Sequence, residues 1–177
     1  MQTINIQHFN TSFGELILGD FQGEICICDW RYRKMRDTVD NRIKTALKAE
    51  FTESDTPLLS ALRDQLSEYF QGTRNTFDLP LLLIGTDFQK TVWNELINVP
   101  YGKTETYLGL SRKLQNEKAI RAVASANGAN SIAIIIPCHR IIGSNGELTG
   151  YAGGLNTKKK LLQLEGVKFP SEQLSLF

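Results

Sequence analysis

Cys138 and His139 stand side by side in the run IIIPCHRII, residues 134–142 of a 177-residue chain. A thiolate is the nucleophilic form of cysteine. With an ordinary pKa of ~8.5, it needs a base or a positive field to form at neutral pH. His139 is the nearest base in sequence, but successive residues of a strand point to opposite faces. Thiol and imidazole therefore meet directly or across a bridging water. Such a base must itself be oriented by a third group, and Glu165, after the helical stretch NTKKKLLQL, is the candidate. Singly, a buried Cys, a hydrogen-bonded His and a surface Glu are ordinary structural residues. Together they describe a cysteine placed to act as a nucleophile.

The elements around this trio are expected to hold it rigidly. Residues 132–136 form an apolar run short enough for a buried strand, and Pro137 would break its ladder just before the thiol. Upstream, Thr86 or Asp87 can cap a helix with a stripe of Phe88, Val92 and Leu96, closing before Pro100-Tyr101-Gly102. Thr104 can cap the next, with Tyr107, Leu110 and Leu114 on one face. Asn116 can cap a third, running to Asn127 and ended by Gly128. Two short helices joined by a tight turn make a helix-turn-helix candidate. The third helix is lined by small residues, Ala119, Ala122, Ala124, Ser125 and Ala126, with Arg121 its one strong donor. Tight helix packing and close approach to a nucleic-acid backbone both suit that composition.

The first 80 residues read as a small α/β unit. Residues 14–30 alternate with period two, as in a hairpin, which would put Cys26 and Cys28 on one face with Glu24 and Trp30. A C-x-C pair without further ligands reads as two small buried hydrophobes rather than a metal site. Leu58, Leu59, Leu62, Leu66, Tyr69 and Phe70 recur at helical spacing, and Gly72 supplies a stop. Three cysteines form no disulfide framework and suit a reducing compartment. No signal peptide or membrane-length apolar stretch is evident, so a cytoplasmic protein is expected. The net charge of +1 is unevenly spread: residues 86–166 carry 10 Lys+Arg against 6 Asp+Glu, which is compatible with a nucleic-acid face.

The block PCHR at 137–140, then IIGSNGELTGYAGG and KKKLLQLEG, resembles the signature of the O6-alkylguanine-DNA alkyltransferases, the methylated-DNA–protein-cysteine methyltransferase family. The similarity covers residues 86–166 and includes the spacing of Tyr107, Arg121, Asn130 and Cys138. It implies an α/β protein with an RNase-H-like domain at 1–80, a mainly helical helix-turn-helix domain carrying the alkyl acceptor at 86–166, and a tail at 167–177. The implied activity is DNA repair by direct, irreversible transfer of an alkyl group from O6-alkylguanine, with O4-alkylthymine a second candidate substrate, to Cys138. Each molecule would react once, as a monomer on double-stranded DNA.

By the same resemblance the damaged nucleotide is flipped into a pocket and Arg121 fills the gap from the minor groove, with Asn116, Ala122, Ser125 and Ser144 as further DNA contacts. Tyr107 would donate toward guanine N3, and the backbone N–H groups of Tyr151, Ala152 and Gly153 would face O6. His139 would draw the thiol proton through water, Glu165 would fix its tautomer, Asn130 would tie helix to active-site loop, and Arg140 would be structural. Many relatives carry Ser where Ala152 stands, so O6 recognition here would rest on backbone. No metal, nucleotide or methyl-donor cofactor is called for, and no G-x-G-x-x-G or ligand cluster appears. A lesion-binding module without chemistry would lack Cys138, and a thiol hydrolase would show a different context around it.

The last five residues, Gln173, Leu174, Ser175, Leu176 and Phe177, resemble the pentapeptide by which bacterial replication proteins dock on the polymerase sliding clamp. A terminal segment of this kind can fold on binding and place Leu and Phe in an apolar pocket.

Overall fold

The computed structural model describes residues 1–169. The clamp-like residues 173–177 lie outside the described residues. Strands β1 (Gln2–Thr11), β2 (Gly14–Phe21) and β3 (Glu24–Trp30) form an antiparallel meander. Helix α1 (Arg36–Leu47) then crosses to β4 (Ala49–Glu53), which pairs parallel with β1 and completes the order β3-β2-β1-β4. Helix α2 (Pro57–Phe70) follows, capped by the Thr56 side chain with Pro at its first turn, where a missing N–H costs nothing.

Both sheet faces are covered, so β2 is buried along most of its length. On one face Ile4, Ile17 and Ile27 meet Val39 and Ile43 of α1. On the other, Leu16, Leu18 and Ile25 meet Leu59, Leu62 and Leu66 of α2, and the same core continues into the second half through Val92, Trp93, Leu110 and Leu161. The two faces bear on the expectation for the cysteines. A bulge opposite Gly19 and Asp20 inserts one residue into β3, and the extra residue reverses the alternation. Cys26 therefore packs with Ile27 toward α1, while Cys28 and Trp30 pack toward the second half. They do not share a face.

The edge of β3 is taken up twice. Ile25 bonds the extended connection at Pro80 and Leu82, and Cys28 bonds Ser131 and Ala133 on both sides. This removes an exposed edge and fixes the segment before Cys138 against the first half. Residues 132–136 are accordingly no strand. Ile132 makes one bridge to Cys28, and Ile134 then takes a left-handed φ of 73° that turns Ile136 back onto Ile132. That conformation is costly for a β-branched residue.

The second half begins at α3 (Asp87–Ile97), where Thr86 and Gln89 form a reciprocal capping box. Its buried stripe is Val92, Trp93 and Leu96, while Phe88 is 39% exposed. Trp93 takes the core position because its indole N–H reaches Ala126 O at 2.8 Å. A short β5 (Glu105–Thr106) occupies the residues expected to open the next helix, so the cap of α4 (Tyr107–Lys113) is Thr106, not Thr104. The third helix is divided: a 3-10 turn at Glu117–Ala119 precedes α5 (Ile120–Gly128), and Asn116 makes no side-chain cap. Cys138–Arg140 form another 3-10 turn, followed by β6 (Ile141–Ile142), paired with β5, and α6 (Leu155–Leu164). None of the described helices is long and apolar enough to cross a membrane.

Arginines of the first half grip the C-terminal end of α5. Arg33 donates to Gly128 O at 2.7 Å and Arg42 to Ala129 O at 2.9 Å, where helix carbonyls favour cations. Arg33 and Arg36 are themselves held by the buried carboxylate of Asp29.

Candidate active site

Cys138 is 4% exposed and lies on the wall of a pocket of about 690 Å³. Tyr107, Asn130, Tyr151, Ala152 and Gly153 share that wall, and residues 32–35 of the first half form part of the rim. Burial raises the thiol pKa, and a hydrogen bond from the Asn130 side chain opposes it by favouring the thiolate. Asn130 is fixed in turn: its amide donates to Ile136 O at 2.8 Å and its Oδ1 accepts from Ile132 N at 3.0 Å. One side chain thus closes the strained turn that leads to Cys138.

Cys138 opens a 3-10 turn, and His139, the next residue in it, is fully buried. Its Nε2 lies 2.6 Å from Glu165 Oε2, and both side chains are fully buried. Burial lowers the His139 pKa, Glu165 opposes that fall, and Arg140 and Lys158 add to it. The ring is neutral at pH 7, with Nε2–H donating to the carboxylate and Nδ1 carrying the lone pair. Nδ1 is buried and has no protein partner among the described residues.

Glu165 is the hub. Besides His139 it accepts from Arg140 Nε at 2.8 Å, from the Gly102 N–H at 3.1 Å and from the Tyr69 hydroxyl at 2.5 Å. Burial pushes its pKa up, but His139 and Arg140 prevail and hold it at about 2. Gly102, at φ 75°, brings its backbone so close that a Cβ would stand 2.9 Å from Glu165 O. Arg140 both neutralises Glu165 and, through its donation to Val99 O at 2.6 Å, ties the carboxylate to the end of α3.

Sequence reasoning missed three residues. The α2 stripe accounts for the burial of Tyr69, yet its hydroxyl crosses between the halves to Glu165. Lys158, within three consecutive lysines, is wholly buried, and its ammonium donates to Ile141, Thr149 and Gly150 carbonyls. Burial pulls its pKa down to about 8, with Cys138 opposing. Trp30 donates its indole N–H to Tyr151 Oη at 2.9 Å. The one local signal is the hydrophobic spacing of α6, which requires Lys158 on the Leu161–Leu162 side.

The remaining site candidates fall outside the pocket. Arg121, Ala122 and Ser125 are exposed on α5, and Asn116 and Ser144 are exposed on flanking loops. Arg121 borders a second, shallower depression of about 410 Å³ with Tyr107, Ala124 and Thr149. The Tyr107 hydroxyl donates to Thr149 O at 3.0 Å, between the two hollows. No group of three or more His, Cys, Asp or Glu able to hold a metal occurs among the described residues.

Comparison with known proteins agrees with this layout. The profile of the 6-O-methylguanine DNA methyltransferase DNA-binding domain matches residues 87–167, and that of the ribonuclease-like domain of the same proteins matches residues 8–83. The constitutive methylated-DNA–protein-cysteine methyltransferase of Bacillus subtilis is 40% identical over 160 residues, 90% of this chain and 93% of that protein. The chain belongs to the 6-O-methylguanine DNA methyltransferase family. A Methanosarcina acetivorans methylated-DNA–protein-cysteine methyltransferase is 56% identical over 102 residues, which is 58% of this chain and 65% of that protein. Among solved structures, the Mycobacterium tuberculosis OGT in complex with DNA is 37% identical with a TM-score of 0.78, covering 91% of this chain and 92% of that one. The ribonuclease-like and DNA-binding parts of this methyltransferase family thus account for both halves of the fold.

Proposed function

We propose that this protein repairs DNA by moving an alkyl group from guanine O6 to the sulfur of Cys138, once per molecule. The observation that carries the reading is a cysteine on the wall of a 690 Å³ pocket whose neighbour in sequence, His139, forms a buried pair with Glu165. The bond from O6 to the alkyl carbon breaks as the sulfur–carbon bond forms. The thiol proton passes through water to His139 Nδ1, and the Glu165 carboxylate stabilises the imidazolium that results. Since burial keeps the resting thiol protonated, attack waits for the relay. The electron pair of the broken bond goes to guanine, where the Tyr107 hydroxyl donates toward N3 and the backbone N–H groups of Tyr151, Ala152 and Gly153 face O6. Donors are thereby aimed where charge develops. The product is a thioether with no hydrolytic return, so no second turnover follows.

A flipped guanine leaves a gap that Arg121 fills from α5, whose small residues let it approach the groove. Asn116, Ala122, Ser125 and Ser144 contact the flanking strand. On this reading residues 1–80 are a supporting domain, 86–166 the DNA-binding and acceptor domain, and 167–177 a tail that docks on the sliding clamp through residues 173–177. Each copy carries its own thiol, pocket and helix, so a monomer in the cytoplasm suffices.

Intact-mass measurement after mixing with a duplex containing O6-methylguanine tests the reaction. The expected result is one methyl group, on the peptide bearing Cys138, and none in Cys138→Ala. Methyl at another residue, or none in the wild type, overturns it. Undiminished co-purification with the clamp after deletion of residues 173–177 would dismiss the tail's role.

A further inference from the structure

The segment that would face guanine O6, Tyr151 to Gly153, has little secondary structure of its own. It is held from outside the acceptor domain. Trp30, the last residue of β3, is 4% exposed and donates its indole N–H to Tyr151 Oη at 2.9 Å. The two rings meet edge to face, 6.2 Å between centroids, a favourable aromatic geometry. Gly153 lies flat on the same indole: a Cβ there would stand 2.7 Å from Trp30 Nε1 and 2.8 Å from Cε2. One side chain of the first half therefore fixes both ends of the segment, 121 residues away in sequence. Its own position is set by the β2–β3 ladder, where Trp30 pairs with Leu16, and by Cys28, which bonds the loop leading to Cys138 on either side. The strand thus references the nucleophile and the O6-facing amides to one backbone.

We infer that Trp30 is a positioning residue for alkyl transfer: its indole holds Tyr151–Gly153 so that their N–H groups meet the developing charge on guanine. The inference rests on the function proposed above. It concerns leaving-group recognition alone and leaves the reactivity of the thiol to His139 and Glu165.

That separation supplies the test. Trp30→Phe keeps an aromatic ring and removes the N–H. Two rates are measured on each protein: single-turnover methyl transfer from a duplex containing O6-methylguanine, and alkylation of Cys138 by iodoacetamide, which needs no guanine contact. Methyl transfer is expected to fall roughly ten- to a hundredfold, as for sub-ångström misplacement of catalytic groups, with the iodoacetamide rate within about twofold. Tyr151→Phe, which removes the acceptor of the same bond, is expected to slow methyl transfer similarly. The double variant should be no slower than Trp30→Phe, because Tyr151→Phe removes only a bond that Trp30→Phe has already broken. If Trp30→Phe does not fold, as judged by Trp93 fluorescence, the Tyr151→Phe rate ratio alone decides. An equal loss on both electrophiles, unchanged methyl transfer, or fully multiplicative effects would overturn the positioning role. A wild type that transfers no methyl to Cys138 would instead overturn the underlying function.

Discussion

Replacing Glu165 by Gln removes one negative charge from a buried cluster while keeping its shape. In the folded protein the Glu165 pKa is held at about 2, against an ordinary value of 4.5, and that difference corresponds to about 3 kcal/mol. Mutational experience with one-sided removal of buried ion pairs, roughly 3–5 kcal/mol, gives the same scale, since Arg140 would be left with its charge buried near Val99 O. Urea unfolding at pH 7 should therefore find Glu165→Gln about 3 kcal/mol less stable than the wild type. Because the folded pKa is depressed, this stability is present above pH 4.5 and drains away as pH falls toward 2. The wild type should lose it across that window, and the variant, having no carboxylate there, should lack that part of the slope. Equal stabilities at pH 7, within about 0.5 kcal/mol, or identical slopes between pH 4.5 and 2, would refute the assignment of Glu165 as the charged hub.

His139 is held neutral by burial, with its pKa below the ordinary 6.5. The rate of methyl transfer should stay level as pH drops through 6.5 and decline only below it, a profile that rapid-quench kinetics at fixed ionic strength would record. Arg121→Ala should slow repair in duplex DNA while sparing reaction with free O6-alkylguanine, and equal losses on both substrates would count against a role in filling the helix. Lys158→Met leaves three carbonyls without their shared donor. A loss of about 1–3 kcal/mol is expected, read as a lowered thermal midpoint.

Much of the candidate site was legible locally. The Cys138–His139 pair and Glu165 are close in sequence to elements whose caps and spacing identify them, and the Thr86-x-x-Gln89 box and the Pro57 start of α2 are signals that nearest neighbours satisfy. Local pattern failed where a tertiary contact outweighed it. Phe88 lost its core place to Trp93, whose indole N–H required a partner that α5 supplied. The apolar run 132–136 carried strand propensity, but the β3 edge offered it one bridging position before the left-handed turn at Ile134.

The sequence alone pointed to Cys138 as a candidate nucleophile, to His139 and Glu165 as its candidate partners, and to the main helices α2 to α6, because those readings depend on residue type and on spacings of a few positions. Only the folded chain decided that Tyr69 would reach Glu165 across 96 residues and Trp30 would reach Tyr151 across 121. It also decided that a bulge at Cys26 would send the paired cysteines to opposite faces. The physical reason is common to all three: a hydrogen bond or a packed face is set by where two backbones are brought together. No periodicity within either segment encodes that meeting.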